Sequence, residues 1–378
     1  MRGFDVVIVG GGIIGGSIAF ELAQEKLRVL VLDRQAPGQE ASWAAAGMLS
    51  PSPENPDSIP LVPLARASLE RYPEFVATVE EASGRAVGYR SKGTLEVLLA
   101  GEAGRELSTL IALHHGLGLP TEALRLEEAL EMEPALSRQA LAVALLPYEA
   151  SVDNRALTEA VLAAAARQGV EIRAATPVTS LLRQGGRCSG VVAGGDQVSA
   201  EHVVLAAGCF SSEIEGVSRY APTRPVRGQM VALRSSRVHL TRVLRSARGY
   251  IVPRDDARPQ KLVAGSTLEN AGFEKRVTPG GLAQILSAIL ELAPGLAGTE
   301  IVETWSGLRP DTPDHLPVLG PTDVEGLVMA TGHYRNGILL APVTARLVRE
   351  WLTGGSTSLP WENFSPLRFL EARRHTAS

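Results

Sequence analysis

"VVIVGGGIIGGSIAFELAQEKLRVLVLDR", residues 6–34, decides the fold. Asp5–Val9 reads as a buried parallel strand, and Arg28–Leu32 as a second one of β-branched residues and leucine. Between them Ile14, Ile18 and Leu22 recur every fourth residue. That spacing predicts a helix with one apolar stripe, leaving Glu21, Gln24 and Glu25 to face water. Gly10, Gly12 and Gly15 match GxGxxG in the turn before it. The first glycine permits the tight turn, the second lets the backbone approach a pyrophosphate, and the third lets helix and strand pack closely. Unpaired N–H groups and the positive dipole end of the helix would then bind the anion. Asp33, 18 residues after Gly15 and at the end of the second strand, is placed to accept hydrogen bonds from an adenosine ribose. Glycines alone would leave a structural turn as the competing explanation; with both strands, the helix and the acid they make a dinucleotide site. NAD and FAD stay open at this point, because both present an ADP half.

Length and composition narrow the partners. A chain of 378 residues implies one large or two intermediate domains with a sizeable core. Its 45% hydrophobic and 21% charged residues are those of a globular protein. With 37 basic against 41 acidic residues and a net charge of -4, there is no electrostatic footprint for nucleic acid. The expected partner is a small molecule. Cys188 and Cys209 are the only cysteines, with no CxxC and no Cys/His pairing at metal spacing, so neither a disulfide framework nor a metal site is expected. A reducing cytoplasm fits that usage. Asp5 and the glycines interrupt the apolar start, which therefore does not read as a signal sequence, and no apolar run reaches the roughly twenty residues of a membrane-spanning helix.

Further along, Arg155–Gln168 reads as a helix capped by Asp153 or Asn154 and stopped at Gly169, followed by a strand at Val170–Ala174. Val178–Arg183 and Arg187–Ala193 flank Gly185-Gly186 as a hairpin, and Val203–Ala206 runs into Ala207-Gly208, a turn suited to close approach over a cofactor. Near the end, Leu327–Ala330 is a short strand broken by Gly332, and Gly337–Leu352 is a buried helix whose amino end could face developing negative charge. Residues 61–144 contain helical patterns with strand-like pieces at 86–99. Residues 223–265 alternate as strands, including Val226–Leu233, Tyr250–Pro253 and Leu262–Ala264, before a helix near 280–292 begun by Thr278 and Pro279. Residues 1–60, 145–220 and 305–378 are therefore assigned to one nucleotide-binding domain, and 61–144 and 221–304 to a second domain inserted in two pieces.

Four segments carry a resemblance that is more specific than the glycines: "VVIVGGGIIGGSIAFELA", "ASWAAAGMLSP", "GLRPDTPDHLPVLG" and "GHYRNGILLAPVTARLV". Over nearly its whole length the chain resembles the FAD-dependent amine oxidases of the D-amino-acid oxidase superfamily, the glycine oxidases in particular. The resemblance implies an α/β fold, a Rossmann-like FAD-binding domain with a sheet-rich α+β substrate-binding domain inserted discontinuously. It implies non-covalent FAD, since no cysteine stands in the C-terminal flavin segment where sarcosine oxidases carry one. It places Ile13 and Ile14 along the diphosphate, Asp33 and Arg34 at the adenosine, and Val178 at the adenine. Ala41, Ser42, Ala46, Gly47 and Met48 would lie beside the flavin, and His333, Tyr334, Arg335, Asn336, Gly337, Ile338 and Leu339 would wrap the isoalloxazine. Small residues at 44–47 would allow backbone near a flat ring, the alternative being ordinary helix packing.

For the substrate, the resemblance assigns Arg309 to the amino-acid carboxylate, a task that suits a planar guanidinium. Arg335 would lie near the same carboxylate, and Tyr250, in "GYIVPR", would hydrogen-bond the substrate. Arg248 and Leu268 stand where relatives carry histidine and methionine, which bears on selectivity. The implied reaction transfers a hydride from Cα of glycine or a similar small amino acid to flavin N5. Dioxygen then reoxidises FAD to give hydrogen peroxide, and the imine hydrolyses to a 2-oxo acid such as glyoxylate plus ammonia, supplying the thiazole of thiamine. Relatives suggest a homotetramer. Oxidation of sarcosine, D-proline or larger D-amino acids, an amine dehydrogenase with another electron acceptor, and a dinucleotide-binding module without turnover are the alternatives. No Ser/His/Asp set is apparent; His114-His115 reads as a helix surface and Glu127-Glu128 as a solvated face.

Overall fold

In a computed structural model, which describes residues 3–53, 55–100 and 106–370, the opening segment forms strand Phe4–Val9, helix Ile13–Gln24 and strand Val29–Leu32. The two strands are parallel, with Val6 opposite Val29. Gly10 has φ +106°, and a Cβ there would stand 2.4 Å from the Ala206 carbonyl oxygen. At Gly15 a Cβ would meet the Gly10 carbonyl oxygen at 1.9 Å, so any side chain would push helix and turn apart. Both positions need glycine for packing within the chain itself.

The first sheet has the order Val318–Pro321, Leu327–Thr331, Asp196–Leu205, Phe4–Val9, Val29–Leu32, Glu171–Arg173. All these neighbours are parallel except the first pair. The predicted hairpin, Val178–Gln184 with Arg187–Ala193, joins it through Asp196–Leu205. Helix Asn154–Arg167 is capped by Asp153, whose carboxylate accepts from the N–H groups of Arg155 and Ala156.

One solvent-facing prediction is overturned. Ile13 through Leu22 are all buried, because helix Ile13–Gln24 lies beneath helices Asn154–Arg167 and Gly337–Gly354 as well as against the sheet. Glu21 is 8% exposed and answers Arg349, whose Nη1 lies 3.2 Å away. Burial raises its carboxyl above the usual range despite that arginine.

A second sheet has the order Glu300–Asp311, Arg224–Ser235, Gln260–Gly265, Tyr250–Pro253, Val243–Arg245, Thr94–Leu98, Ala142–Leu146, Glu122–Leu124. It is antiparallel except where Val243–Arg245 meets Thr94–Leu98. One face packs on helix Pro279–Leu292, burying Ile285, Ile289 and Leu292 against Val231, Leu233 and Ile251. Thr278 caps that helix by accepting from the Gly281 N–H.

The predicted segmentation needs two corrections. Helix Val62–Ser83, assigned to the inserted piece 61–144, packs on the first sheet's side, where Leu64, Ala65, Tyr72 and Phe75 share a core with Ile18, Leu22 and Leu340. The boundary at 305 falls inside strand Glu300–Asp311, which belongs to the second sheet.

The attraction of helix Val62–Ser83 to that side is partly polar. Pro342 lies inside helix Gly337–Gly354 and has no N–H to give the carbonyl of Ile338. Tyr72 Oη donates to that carbonyl at 2.6 Å instead, and Ser68 Oγ donates to the Leu339 carbonyl at 2.6 Å. A break in one helix is thus mended by two hydroxyls from another.

Candidate active site

Between the two sheets lies a cavity of about 1320 Å³. At one end Gly10, Gly12, Ile13 and Ile14 line it with the turn and first turn of helix Ile13–Gln24. No side chain caps Gly12, and the N–H groups of a helix's first turn have no partners within the helix. The Ile13 N–H donates to Ser42 Oγ at 2.9 Å, which ties the turn to the segment 41–48. Gly15, expected at the cofactor, is not on the cavity wall; its role is the close packing described above.

Asp33, Arg34 and Val178 line the same end. Asp33 accepts from the N–H groups of Gly11 at 2.8 Å and Gln35 at 3.0 Å, while burial raises its carboxyl. The Arg34 guanidinium stacks 3.3 Å above the centre of the Phe210 ring and donates to Glu40 at 2.6 Å. Phe210 and Phe273, both on the cavity, stack on each other with centroids 4.9 Å apart.

Ala41, Ser42, Ala46, Gly47 and Met48 form the next stretch of wall. Only Ala41–Ala44 is helical, so the alanines beyond it are not explained by helix packing. Across from them stand His333, Tyr334, Arg335, Asn336, Gly337 and Ile338, leading into the N-terminus of helix Gly337–Gly354. His333 is buried, with Nε2 3.1 Å from Thr344 Oγ1, and burial pushes the imidazole down to about 3, so it is neutral at pH 7. Tyr334 takes φ +47° and donates its N–H to the Pro310 carbonyl at 2.9 Å. Arg335 is exposed at the cavity rim. Leu339, expected around the isoalloxazine, points away into the first core; one position along the helix from Ile338 is enough to turn it off the wall.

The opposite wall is a row across the second sheet. Successive registers pair Trp305 with Met230, Met230 with Gly265, Gly265 with Tyr250, Tyr250 with Arg245, and Arg245 with Glu96. Met230, Tyr250, Arg245 and Glu96 all line the cavity. Tyr250 is 7% exposed and its hydroxyl lies 3.5 Å from Met230 Sδ. Arg309, on strand Glu300–Asp311, donates from Nη2 to Ser266 Oγ at 2.7 Å and from Nη1 to the Thr267 carbonyl at 3.2 Å. It lies so close over Gly228 that a Cβ there would be 2.2 Å from Nη1.

Met230, Gly228, Arg245, Glu96 and His114 were not singled out as site residues by the sequence. Arg245 donates from Nε to Glu96 at 2.5 Å and from Nη1 to Glu149 at 3.0 Å. Burial disfavours its charge, yet the two carboxylates raise its pKa on balance. His114 is 1% exposed and on the cavity wall, which corrects its assignment to a helix surface; His115, its neighbour, is the exposed one. Glu127 is exposed as expected. Of the two selectivity positions, Leu268 is on the wall and 61% exposed. Arg248 is not; it reaches Glu291 at 2.7 Å and the Ala100 carbonyl at 2.6 Å.

A family model described as FAD dependent oxidoreductase matches residues 5–351. The chain belongs to that family. Among its FAD-dependent relatives, a glycine oxidase from Geobacillus kaustophilus is 36% identical over 97% of each chain. The crystal structure of glycine oxidase from Geobacillus kaustophilus superposes with a TM-score of 0.90 at 34% identity, covering 97% of this chain and 98% of that one. A bifunctional protein ThiO/ThiG from Trichormus variabilis is 36% identical over 97% of this chain but 55% of its own length. The chain thus spans about half the length of the bifunctional relatives it matches.

The cavity of this FAD-dependent oxidoreductase fits its cofactor on its own terms. The glycine turn and the helix N-terminus after it would meet the diphosphate's charge, small residues clear the central wall, and a second helix N-terminus faces the cavity. Among the described residues no cluster of His, Cys, Asp and Glu could hold a metal ion, and no helix is long and apolar enough to cross a membrane.

Proposed function

We propose that this protein is an amino-acid oxidase that takes glycine, or an amino acid of similar size, to its imine. The overall balance is amino acid, dioxygen and water giving 2-oxo acid, ammonia and hydrogen peroxide. Bound FAD supplies the two-electron acceptor for the Cα–H bond and the means of passing those electrons to dioxygen. Full-length similarity to proteins named glycine oxidase supports the choice of glycine.

The observation that carries the proposal is the setting of Arg309. Its guanidinium is held flat over Gly228 by Ser266 and Thr267, on the same wall as Tyr250 and Met230. A planar cation so held gives a carboxylate two parallel hydrogen bonds and fixes the direction of Cα. Tyr250 orients the substrate from the next strands of the sheet, and Arg335 adds positive charge at the rim. On the opposite wall the N–H groups of Gly12 and Ile14 and the Arg34 and Asp33 side chains hold the diphosphate and adenosine. Ala46, Gly47, Met48 and the 333–338 loop bound the isoalloxazine, with neutral His333 adding no charge there. None of these tasks needs a catalytic base, provided the substrate amine binds deprotonated.

An imine or 2-oxo acid at the glyoxylate level would suit the thiazole of thiamine. We extend the proposal to a cytoplasmic homotetramer, which light scattering of the purified protein would test. The decisive experiment is an anaerobic absorbance titration with glycine, repeated on Arg309→Ala. The native protein should bleach, and the variant should need on the order of a hundredfold more glycine, as loss of a charged bidentate contact implies. Unchanged affinity would remove Arg309 from the site.

A further inference from the structure

The two walls of the cavity are joined through one strand. In Glu300–Asp311, the residues Glu303, Trp305, Gly307 and Arg309 alternate along the chain and so share one face of the sheet. Before the strand reaches Arg309, each of the other three grips the side of the molecule that carries the cofactor wall. Arg155, at the start of helix Asn154–Arg167, donates from Nη1 and Nη2 to the Glu303 carboxylate, each at 3.0 Å, and from Nε to the Trp43 carbonyl at 3.2 Å. Trp305 Nε1 donates to the Ala44 carbonyl at 3.0 Å. Gly307 makes room for the Ala44 methyl group, since a Cβ at Gly307 would stand 2.3 Å from that of Ala44.

Opposite Gly307 in the ladder is Gly228, the residue over which the Arg309 guanidinium lies. Directly paired residues of an antiparallel ladder have Cα atoms about 5 Å apart. The Ala44 methyl group and the Arg309 guanidinium are therefore seated side by side, on two glycines of neighbouring strands. Ala44 belongs to the stretch of cavity wall that continues through Ala46, Gly47 and Met48. Its neighbours are held from helix Asn154–Arg167, where Asn154 Nδ2 donates to the Ser42 and Trp43 carbonyls at 2.7 and 3.1 Å. The bond from Trp305 ties the same stretch to the substrate's strand. Trp305 itself is 6% exposed and stands off the cavity wall, so it acts only through what it holds.

We propose that Trp305 is a positioning residue. With Gly307 it sets the separation between the Arg309 guanidinium and the segment beside the isoalloxazine, and so the approach of the substrate Cα to the flavin. The inference rests on the amino-acid oxidase proposal for what is being approached. A misplacement of about 1 Å between reacting groups costs on the order of a hundredfold in rate, so a carboxylate anchor and a flavin wall that could drift apart would forfeit much of the catalysis.

The test uses the FAD-loaded protein, mixed rapidly with glycine without oxygen, which separates affinity from the rate of bleaching at saturation. Trp305→Phe keeps a ring but leaves the Ala44 carbonyl without its donor. Its saturating rate should fall about tenfold, with Kd unchanged because Ser266 and Thr267 still hold Arg309. Gly307→Ala should lower the rate about a hundredfold, and adding Ala44→Gly, which removes the methyl group that the new one strikes, should recover most of the loss. A second readout needs no turnover. Acetate, a carboxylate lacking the amine, should perturb flavin absorbance, and the amplitude at saturation should differ in Trp305→Phe at the same Kd. An unchanged saturating rate and acetate spectrum in Trp305→Phe would overturn the inference, as would a loss in Gly307→Ala that Ala44→Gly fails to restore. Should either substitution empty the cofactor site, the other decides. A native protein perturbed by acetate but never bleached by glycine would overturn the oxidase proposal alone, and the acetate amplitudes would still judge Trp305.

Discussion

The two walls of the cavity are built by opposite strategies. The wall of the first sheet is dense in sequence: Gly10, Gly12, Ile13 and Ile14 come from a single turn, and Ala41 to Met48 from a single stretch. The wall of the second sheet is gathered from several strands, with Met230, Tyr250, Arg245 and Glu96 aligned by register. Backbone groups in a fixed turn suit a cofactor whose diphosphate is always the same, whereas side chains drawn from separate strands can be exchanged singly. The difference separates the groups placed to hold the cofactor from those placed to face the substrate.

Substitutions test that division, beginning with the largest effect. Gly10→Ala should abolish FAD retention, because φ +106° and the Ala206 carbonyl at 2.4 Å leave no room for a methyl group; absorbance of the purified protein at flavin wavelengths checks it. Titration of His333 should come next. Its imidazole is held at about 3 in the native state, below the roughly 6.5 of an unfolded chain, so the unfolded state binds more protons between these values. Stability is complete well above pH 6.5 and falls as pH drops towards 3, by roughly 5 kcal/mol in full. Replacing His333 with Asn should flatten that part of a Tm-against-pH curve.

On the other wall, Gly228→Ala should displace the Arg309 guanidinium and raise KM for glycine by about tenfold, as weakening one charged hydrogen bond implies, with FAD retained. Loss of FAD in this variant would break the separation between the walls. Tyr72→Phe should leave both walls working and act on stability alone, leaving the buried Ile338 carbonyl without a donor at a cost of about 1 kcal/mol. Thermal unfolding of the FAD-loaded protein would register it.

How legible each wall was in the sequence follows from the same contrast. The strand–glycine–helix–strand unit could be read because its strand pairing, glycine spacing and terminal acid all lie within one short stretch of chain. Arg309 and Tyr250 were found through the resemblance, and no local period would have singled them out. Arg245 and Glu96 were missed because they are separated by 149 residues and meet through sheet register alone. His114 was taken for a surface residue because a helix of mixed polarity does not reveal which face is covered. Glu21 failed for a related reason: amphipathic spacing assumes a helix with one partner, and this one has three. Arg248 and Arg245 stand three residues apart at a strand end, close enough that only the structure tells which faces the cavity.

The mending of helix Gly337–Gly354 by Ser68 and Tyr72 has a consequence for biosynthesis. The glycine turn is synthesised long before the 333–338 loop and the helix those hydroxyls complete. An early nascent chain therefore has half a pocket and no complement for a flat ring system. Cofactor capture therefore waits until translation has passed Gly337.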